Sequence, residues 1–230
     1  MSDFSYIECN LTEVKADLAR IAEGCGRAVP TLVCVTKSGS DEELLALVRA
    51  GASDIGENRP QELMRRGELL SGEGLFPALH EIGSLQRNKV KYIIERASLI
   101  HSLDSLSLAE EIERQAAKRD MKARVLIEVN SASEKAKGGV LPSAVEDFYL
   151  ALSAFPHIEV CGLMTMGPVC ECEEDIRPYF ALTKKIFDDI KTRHGFAGSG
   201  ILSMGMSDSY KVAVEEGSTL VRIGRRLFKK

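Results

Sequence analysis

The sequence predicts an α/β protein, a single (β/α)8 barrel of the TIM type preceded by an extra N-terminal helix. Short apolar runs recur eight times, and helix-period segments separate them. Strands that alternate with helices pair in parallel, because the helix supplies the crossover. A typical barrel has about 250 residues and a lower bound of about 200. No linker divides the 230 residues, so we expect one domain over 1–230.

Eight segments have the short apolar character of strands buried under helices. In chain order they are Thr31 to Thr36, Ala52 to Gly56, Ala78 to Gly83, Leu99 to Ser102, Ala123 to Asn130, Ile158 to Thr165, Gly200 to Met204 and Thr219 to Ile223. The alternative is an open, doubly wound sheet. That fold usually has a glycine-rich fingerprint after its first strand, whereas "TKSGSDEE" contains one glycine.

The helices have apolar residues at helical spacing, starting with an opening helix of about Ser5 to Gly24. Serines at three predicted helix starts are candidate N-caps, namely Ser40, Ser105 and Ser207. Gly51 and Gly217 are placed where a left-handed residue would end a helix.

Charge and composition exclude several classes of partner. The formal net charge is −4, so the field of the whole protein does not attract nucleic acid or anionic membranes. The tail "RIGRRLFKK" has five basic residues in nine, which we interpret as a solvated terminus or as help with phosphate binding. A small anionic ligand therefore needs a local site.

The N-terminal segment and the cysteines indicate a cytoplasmic protein. "MSDFSYIECN" lacks the apolar core of a secretory signal, and no stretch approaches the roughly 18 to 20 apolar residues of a membrane span. Six irregularly spaced cysteines suit a reducing compartment, with Cys34 and Cys161 in the core. Cys170 and Cys172 lack the second ligand pair of a zinc site, so we expect no metal.

The first predicted strand ends on an amine. Lys37 follows the apolar run that ends at Thr36, and the chain then turns through Ser-Gly-Ser into a helix. Barrels carry their chemistry at the carboxyl ends of the strands. One interpretation is a lysine that simply extends into water, as lysines beside strands usually do. The other is a Schiff-base lysine, because a partly desolvated amine beside cationic groups becomes nucleophilic toward an aldehyde.

Two residues near the C-terminus fit a phosphate site. Ser207 follows the seventh predicted strand and Gly224 follows the eighth. Barrels frequently bind phosphate with these two loops, where glycine permits close backbone approach and serine adds a hydroxyl donor. Taken singly, a helix cap and a plain turn are the commoner interpretations. The first and eighth strands of a closed barrel are neighbours, so Lys37 faces the same corner.

Arg222 alternates with apolar residues in "STLVRIG", which places a guanidinium inside the predicted barrel. A buried arginine requires a partner. A cofactor ring nitrogen is one candidate, and an ion pair with a barrel glutamate such as Glu128 is the alternative.

Several motifs together resemble the pyridoxal phosphate homeostasis proteins. The matching segments are "VTKSGSDEELLALVRAGASDIGENRPQEL", "LHEIGSLQRNK", "GLMTM", "LSMGMSDSY" and "GSTLVRIG". They extend from the first strand to the eighth and cover nearly the whole chain. The resemblance implies a barrel like the N-terminal domain of alanine racemase, with pyridoxal 5'-phosphate (PLP) in its mouth.

The resemblance also implies roles for individual residues. Lys37 would hold PLP covalently as an aldimine, Ser207 and the amides around Gly224 would hold the phosphate, and Arg222 would approach the pyridine nitrogen. The cofactor would also be lined by Asn58, Met164 and Met206. The family has no established reaction, so the resemblance assigns no catalytic residue.

The sequence departs from the family pattern at Arg225 and Lys229, where the family usually has a small residue, often threonine, and a glycine. A threonine hydroxyl is thereby lost from the phosphate site. The Arg225 amide remains, and its guanidinium adds a charge that favours phosphate. We therefore keep Arg225 among the expected cofactor-binding residues.

Three functions fit these residues. The first is a monomeric, non-catalytic PLP carrier that delivers the cofactor to PLP-dependent apoenzymes. The second is a racemase-like enzyme, which needs a second base opposite Lys37; alanine racemases take it from a further C-terminal domain, which we do not expect because the given chain ends seven residues after Ile223. The third is a Schiff-base aldolase without cofactor. The resemblance favours the carrier.

Overall fold

The predicted barrel is confirmed by the computed structural model, which describes residues 4–134, 138–170 and 172–230. Eight parallel strands pair with their neighbours in chain order, and β1 pairs with β8 to close the sheet. The strands are β1 (Thr31–Val35), β2 (Asp54–Glu57), β3 (Ala78–Glu81), β4 (Leu99–Leu103), β5 (Ala123–Glu128), β6 (Ile158–Met164), β7 (Ile201–Ser203) and β8 (Leu220–Ile223).

Helices surround the barrel and connect its strands. They are α1 (Ser5–Gly24), α2 (Asp41–Arg49), α3 (Pro60–Gly72), α4 (Val90–Ile93), α5 (Leu106–Ala117), α6 (Val145–Ala151), α7 (Arg177–Arg193) and α8 (Tyr210–Glu215). Short 3-10 turns adjoin α4, α6 and α7, so those helical segments are less regular than their sequence period predicts. None of the helices described is long and apolar enough to cross a bilayer.

One of the three predicted N-caps is fully confirmed. Ser40 forms a capping box with Glu43, in which the Ser40 hydroxyl accepts from the Glu43 amide. Ser105 occupies the N-cap position of α5, but its side chain makes no capping hydrogen bond to the helix backbone. The prediction for Ser207 is wrong, because α8 begins at Tyr210, with Ser209 at the N-cap position. Ser207 therefore remains free to contact other groups.

The core has two parts, one between the sheet and the helices and one inside the barrel. The inner part is a small apolar cluster of six residues from five strands, made of Val33, Leu99, Leu126, Cys161, Met164 and Leu220. The outer part is much larger and contains the apolar faces of the helices. Side chains alternate between these two parts along the regular strands, so strand parity decides which residues face the barrel interior. In β6 a register shift against β5 interrupts the alternation, and Cys161 and Met164 both lie in the inner cluster.

The predicted burial of two cysteines is confirmed. Cys34 lies in the outer core and Cys161 in the inner cluster, and both are free thiols. Burial raises the pKa of the Cys34 thiol to about 12, which makes it unreactive at neutral pH. Within the described parts of the chain, no three His, Cys, Asp or Glu side chains are grouped as metal ligands would be.

Candidate functional site

A pocket of about 390 Å³ lies at the carboxyl ends of the strands. Small-molecule sites in proteins have volumes of roughly 300 to 1,000 Å³. Seven of the eight residues that the sequence analysis named line it, namely Lys37, Asn58, Met206, Ser207, Arg222, Gly224 and Arg225. The eighth, Met164, lies in the apolar cluster inside the barrel. Met166, which the sequence analysis did not single out, lines the pocket instead.

The position of Lys37 follows from strand parity. Val33 faces the barrel interior and Val35 lines the pocket, and Lys37 continues the same inward series two residues later. Its side chain lies at the mouth of the barrel and is exposed. Its amine has no hydrogen bond or ion pair with any residue of the described chain. The amine is therefore available to a ligand in the pocket.

The loop that carries Lys37 is fixed from behind by a buried arginine. Arg66 of α3 donates to the Thr36 carbonyl at 2.5 Å and to the Gly39 carbonyl at 2.7 Å, on either side of Lys37. It also forms an ion pair with Glu57 at 2.7 Å. The ion pair with Glu57 compensates the buried charge of Arg66, and the two bonds to carbonyl oxygens hold the backbone of the Lys37 loop.

This contact was not predicted from the sequence, although the spacing of residues in α3 carries a signal for it. The buried residues of α3 include Leu63 and Leu70, and Arg66 lies on the same helical stripe between them. A charged residue on an apolar stripe indicates a buried partner on the facing element. Here the facing element ends in Glu57 of β2.

The two predicted phosphate-binding groups are adjacent. The Gly224 amide donates to the Ser207 hydroxyl over 3.4 Å, a long bond that joins the loops after β7 and β8. A Cβ atom at position 224 would lie 2.9 Å from the Val35 carbonyl oxygen. Glycine is therefore required for this backbone to pass β1, and the close passage leaves an amide and a hydroxyl at one corner of the pocket.

Arg225 lines the same corner and forms an ion pair with Asp208. Both side chains are more than two-thirds exposed, at 72% and 74%, so the pair adds little to stability. The guanidinium that replaces the expected small residue thus lies beside a carboxylate, which offsets part of its charge.

Arg222 forms part of the pocket floor and is almost entirely buried, with 5% exposure. It donates to the Ser203 hydroxyl at 2.5 Å and to the Thr165 carbonyl at 3.1 Å. Burial lowers the pKa of its guanidinium to about 10, and the nearby Glu128 opposes that shift, so Arg222 is charged at neutral pH. The hydrogen bonds to Ser203 and Thr165, rather than an ion pair with Glu128, hold it in place.

The remaining wall of the pocket comes from the loops after β2 and β3. Asn58 and Gly83 both line it, and their backbones touch, because a Cβ atom at position 83 would lie 2.2 Å from the Asn58 carbonyl oxygen. Ile82, Met166 and Met206 supply apolar surface. The pocket thus combines one apolar wall with a cationic, hydrogen-bonding floor and corner.

The acid–base groups of the pocket are few. Among the described residues, the titratable side chains that line it are Lys37, Asp208, Arg222 and Arg225. Arginine is a donor only and is not deprotonated in proteins. Asp208 is held by Arg225. Lys37 is therefore the one unpaired titratable side chain in this lining that can act as a base.

Comparisons with known proteins agree with this fold. The family model described as "Alanine racemase, N-terminal domain" matches residues 9–230. A pyridoxal phosphate homeostasis protein of Aquifex aeolicus (strain VF5) is 40% identical over 216 residues, which cover 92% of this chain and 93% of the relative. The corresponding protein of Escherichia coli (strain K12) is 31% identical and covers 99% of this chain and 97% of its own.

Solved structures have the same barrel. PipY of Synechococcus elongatus PCC7942, determined with PLP bound, has a TM-score of 0.83 and 25% identity, covering 97% of this chain and 100% of its own. Alanine racemase of Corynebacterium glutamicum has a TM-score of 0.76 at 19% identity, covering 99% of this chain and 61% of the racemase, which shows a common fold. Since a relative at 40% identity matches over nearly all of both chains, the chain belongs to the pyridoxal phosphate homeostasis protein family.

Proposed function

We propose that this protein binds PLP in the pocket at the barrel mouth, holds it through a reversible covalent bond to Lys37, and acts as a PLP carrier. The observation that carries the proposal is the position of Lys37. Its unpaired amine lines the same pocket as a hydroxyl and an amide fit for phosphate, at Ser207 and Gly224, and a buried cation, Arg222.

The residues at one corner of the pocket fit the phosphate group of PLP. The phosphate accepts hydrogen bonds, and the Ser207 hydroxyl and Gly224 amide are donors that meet at one corner. The absence of a Cβ atom at position 224 lets the backbone pass close to Val35, which brings that amide to the corner of the pocket. Arg225 adds a positive charge at the same corner.

Each residue then has a defined task. The cofactor would supply an aldehyde, a group with which a primary amine condenses reversibly with loss of water. Lys37 provides that amine at the mouth, and the Arg66 contacts hold its loop in position. Arg222 would donate to the ring nitrogen without giving up its proton, since arginine stays charged. Ile82 and Met206 line the pocket and would supply apolar surface to the ring.

The titratable side chains that line the pocket favour a carrier over an enzyme. Racemisation at two faces of a substrate needs two bases, whereas in the described lining Lys37 alone is an unpaired base. A donor-only arginine at the ring nitrogen also leaves that nitrogen unprotonated, which weakens the electron sink on which PLP chemistry depends. Both features support storage and release of the cofactor rather than turnover of an amino acid.

We place this activity in the cytoplasm, with PLP-dependent apoenzymes as recipients. The free thiols of Cys9, Cys25, Cys34 and Cys161 support a reducing compartment. Release to an apoenzyme requires that the bond to Lys37 is reversible, which imine formation by an amine provides. The proposal also includes a monomeric carrier, which size-exclusion chromatography with light scattering tests.

The central test is spectroscopy of the purified protein titrated with PLP. Wild-type protein is expected to gain a visible absorption band that borohydride bleaches, with the reduced adduct mapped to the peptide containing Lys37. Lys37→Ala is expected to lose the band and the adduct. Lys211→Ala, which removes an exposed lysine of α8, is the matched control and retains both. A protein that stays colourless with PLP, or an adduct on another lysine, would contradict the proposal.

Turnover separates the carrier from the racemase-like enzyme. Fully loaded protein is incubated with single enantiomers of amino acids, and the other enantiomer is measured by chiral chromatography. We expect no racemisation at ordinary enzyme rates, which are on the order of 1 s⁻¹ or more. Racemisation at such rates, lost in Lys37→Ala, would establish an enzyme instead.

A further inference from the structure

A chain of buried polar side chains crosses the interior of the barrel and ends at Arg222. His101 Nδ1 lies 3.1 Å from the Ser203 hydroxyl, and His101 Nε2 lies 3.0 Å from His80 Nδ1. His80 Nε2 lies 3.1 Å from Asp54 Oδ1. At the other end, Arg222 donates to Ser203. Five residues from five different strands thus form one continuous series of hydrogen bonds.

These residues are unusual for a barrel interior, which branched apolar side chains normally fill. His101 and Ser203 are fully buried, and His80 and Arg222 are each 5% exposed. Buried polar networks are stable only when every member is satisfied. Four of the five members lie below the pocket lining, and Arg222 alone reaches it.

The donors of this series have one consistent direction. Arginine only donates, so the Ser203 oxygen accepts from Arg222. The Ser203 hydroxyl contacts two groups among the described residues, Arg222 and His101. Its proton therefore goes to His101 Nδ1, which makes that nitrogen an acceptor.

The direction continues to the far end. Burial, with His80 and Arg222 nearby, lowers the pKa of His101 well below its ordinary value, so its ring is neutral and carries its single proton on Nε2. That proton is donated to His80 Nδ1. His80 then carries its own proton on Nε2 and donates it to the Asp54 carboxylate. In each hydrogen bond of the series, the residue nearer to Arg222 is the donor and the residue nearer to Asp54 is the acceptor.

We propose that His101 and His80 are positioning residues for Arg222, which they hold through Ser203 in a single orientation at the pocket floor. Asp54 anchors the series at the opposite end, where it also accepts from Ser53. Hydrogen bonds in a series polarise one another, so the carboxylate strengthens the acceptor at Ser203. The role toward the cofactor rests on the proposed function, because Arg222 is the residue expected to meet the PLP ring.

The tautomers are testable without any cofactor. Long-range ¹H–¹⁵N spectra of the imidazoles in ¹⁵N-labelled apoprotein distinguish the two neutral forms, and His157→Gln and His194→Gln identify two of the four histidines. At about pH 8, where an ordinary imidazole is neutral, His101 and His80 are both expected to carry their protons on Nε2. A proton on Nδ1 of His101 would overturn the proposed direction, whether or not the protein binds PLP.

The effect on the cofactor is tested with Ser203→Ala, which removes the hydroxyl between His101 and Arg222. The Kd for PLP is expected to rise about tenfold and the absorption maximum of bound PLP to shift, because Arg222 loses its fixed orientation. Ser203→Thr keeps a hydroxyl and is expected to restore both. His157→Gln changes a histidine outside the series, bound to Glu113, and serves as the control.

Circular dichroism and the unfolding midpoint establish that each variant is folded. A folded Ser203→Ala with an unchanged Kd and an unchanged absorption maximum would overturn the positioning role. If wild-type protein binds no PLP, the proposed function fails, whereas the tautomer spectra still decide the hydrogen-bond series. If Ser203→Ala does not fold, His101→Asn replaces it, with the same two readouts.

Discussion

At the residue scale, two glutamates lie side by side behind the pocket. Glu57 and Glu81 are register partners on β2 and β3, and both are almost completely buried. Glu57 is bonded through Oε1 to Arg66 and Thr36, and Glu81 accepts one bond from the Gly83 amide, but neither Oε2 has a hydrogen-bond partner among the described residues. Burial, reinforced by Glu57, raises the pKa of Glu81 to about 8, so this carboxyl is neutral at pH 7.

The raised pKa of Glu81 predicts a stability that falls as pH rises. Between the unfolded value near 4.5 and the folded value of about 8, the folded state binds one proton more than the unfolded state. The free energy of unfolding therefore decreases across this window, by an amount on the order of a few kcal/mol, and levels off above it. Urea denaturation at several pH values measures the slope.

Glu81→Gln is the matched variant for this slope. The amide keeps an acceptor for the Gly83 amide but does not ionise, so the variant is expected to lose the decrease and to be more stable than wild type at about pH 9. Glu68→Gln, at an exposed position of α3, is the control and keeps the wild-type slope. Parallel slopes for Glu81→Gln and wild type would show that this carboxyl is already ionised at neutral pH.

The Ser207 hydroxyl is one of the donors at the proposed phosphate corner of the pocket. Ser207→Ala removes one donor from the proposed phosphate corner, and a hydrogen bond to a charged acceptor contributes about 1.5 to 3 kcal/mol. We expect PLP to dissociate at least about tenfold faster, while the covalent bond to Lys37 still forms. Stopped-flow transfer of PLP to an excess of a competing amine measures the rate. Ser38→Ala, at an exposed position beside Lys37, is the control, and equal rates for both variants would place the phosphate elsewhere.

At the element scale, α1 is the helix that the eight-unit repeat does not require. It packs against α2 and α8 with a buried stripe that includes Ile7, Leu11 and Leu18. A polar contact fixes it to α8, in which the buried Tyr210 donates to Asp17 at 2.5 Å. The hydrogen bond from Tyr210, followed by that from Arg20, lowers the pKa of Asp17 to about 2. The extra helix is therefore an integral part of the barrel wall beside β8.

Tyr210→Phe tests this contact without changing the packed ring. The variant leaves Asp17 and Arg226 without their common partner, and loss of such a buried hydrogen bond typically lowers the free energy of unfolding by about 1 to 2 kcal/mol. Chemical denaturation measures the loss. Tyr92→Phe, at a half-exposed ring, is the control and should change stability by less than about 0.5 kcal/mol. A similar small change for Tyr210→Phe would mean that water replaces the hydroxyl at no net loss.

At the scale of the whole molecule, binding of PLP links the first strand of the barrel to the last two loops. A ligand that binds only the folded state stabilises it by about 2.7 kcal/mol at a free concentration 100 times its Kd. For a chain of this size that shift raises the Tm by roughly 5 to 10 °C. Differential scanning calorimetry with and without PLP is the measurement.

Lys37→Ala separates covalent from non-covalent contributions to this shift. The variant keeps Ser207, Gly224 and Arg222, so it should retain a smaller rise in Tm that inorganic phosphate partly mimics. Equal shifts in wild type and Lys37→Ala would show that the lysine adds no binding free energy.

The pattern of the sequence predicted all eight strands, because a buried strand must be apolar and its neighbours must be helical. Strand ends were less predictable. The second strand was expected over Ala52 to Gly56, yet it begins at Asp54, since the Ala52 amide donates to Leu47 and completes the end of α2. Met164 was expected in the pocket, but a register shift between β5 and β6 places it inside the barrel and Met166 at the mouth.

Local chemistry in the sequence determined that Lys37 lies at the mouth of the barrel and that Ser207 and Gly224 lie on neighbouring loops. Only the closed barrel decided which groups satisfy the buried charges. Arg222 bonds to Ser203 and Thr165 instead of forming an ion pair with Glu128, and Arg66 reaches across to the Lys37 loop. Residues as far apart as His101 and Ser203, separated by 102 positions, become partners only when the sheet closes. A sequence period records which face of a strand is buried, whereas hydrogen-bond partners depend on distances across the barrel that no local pattern contains.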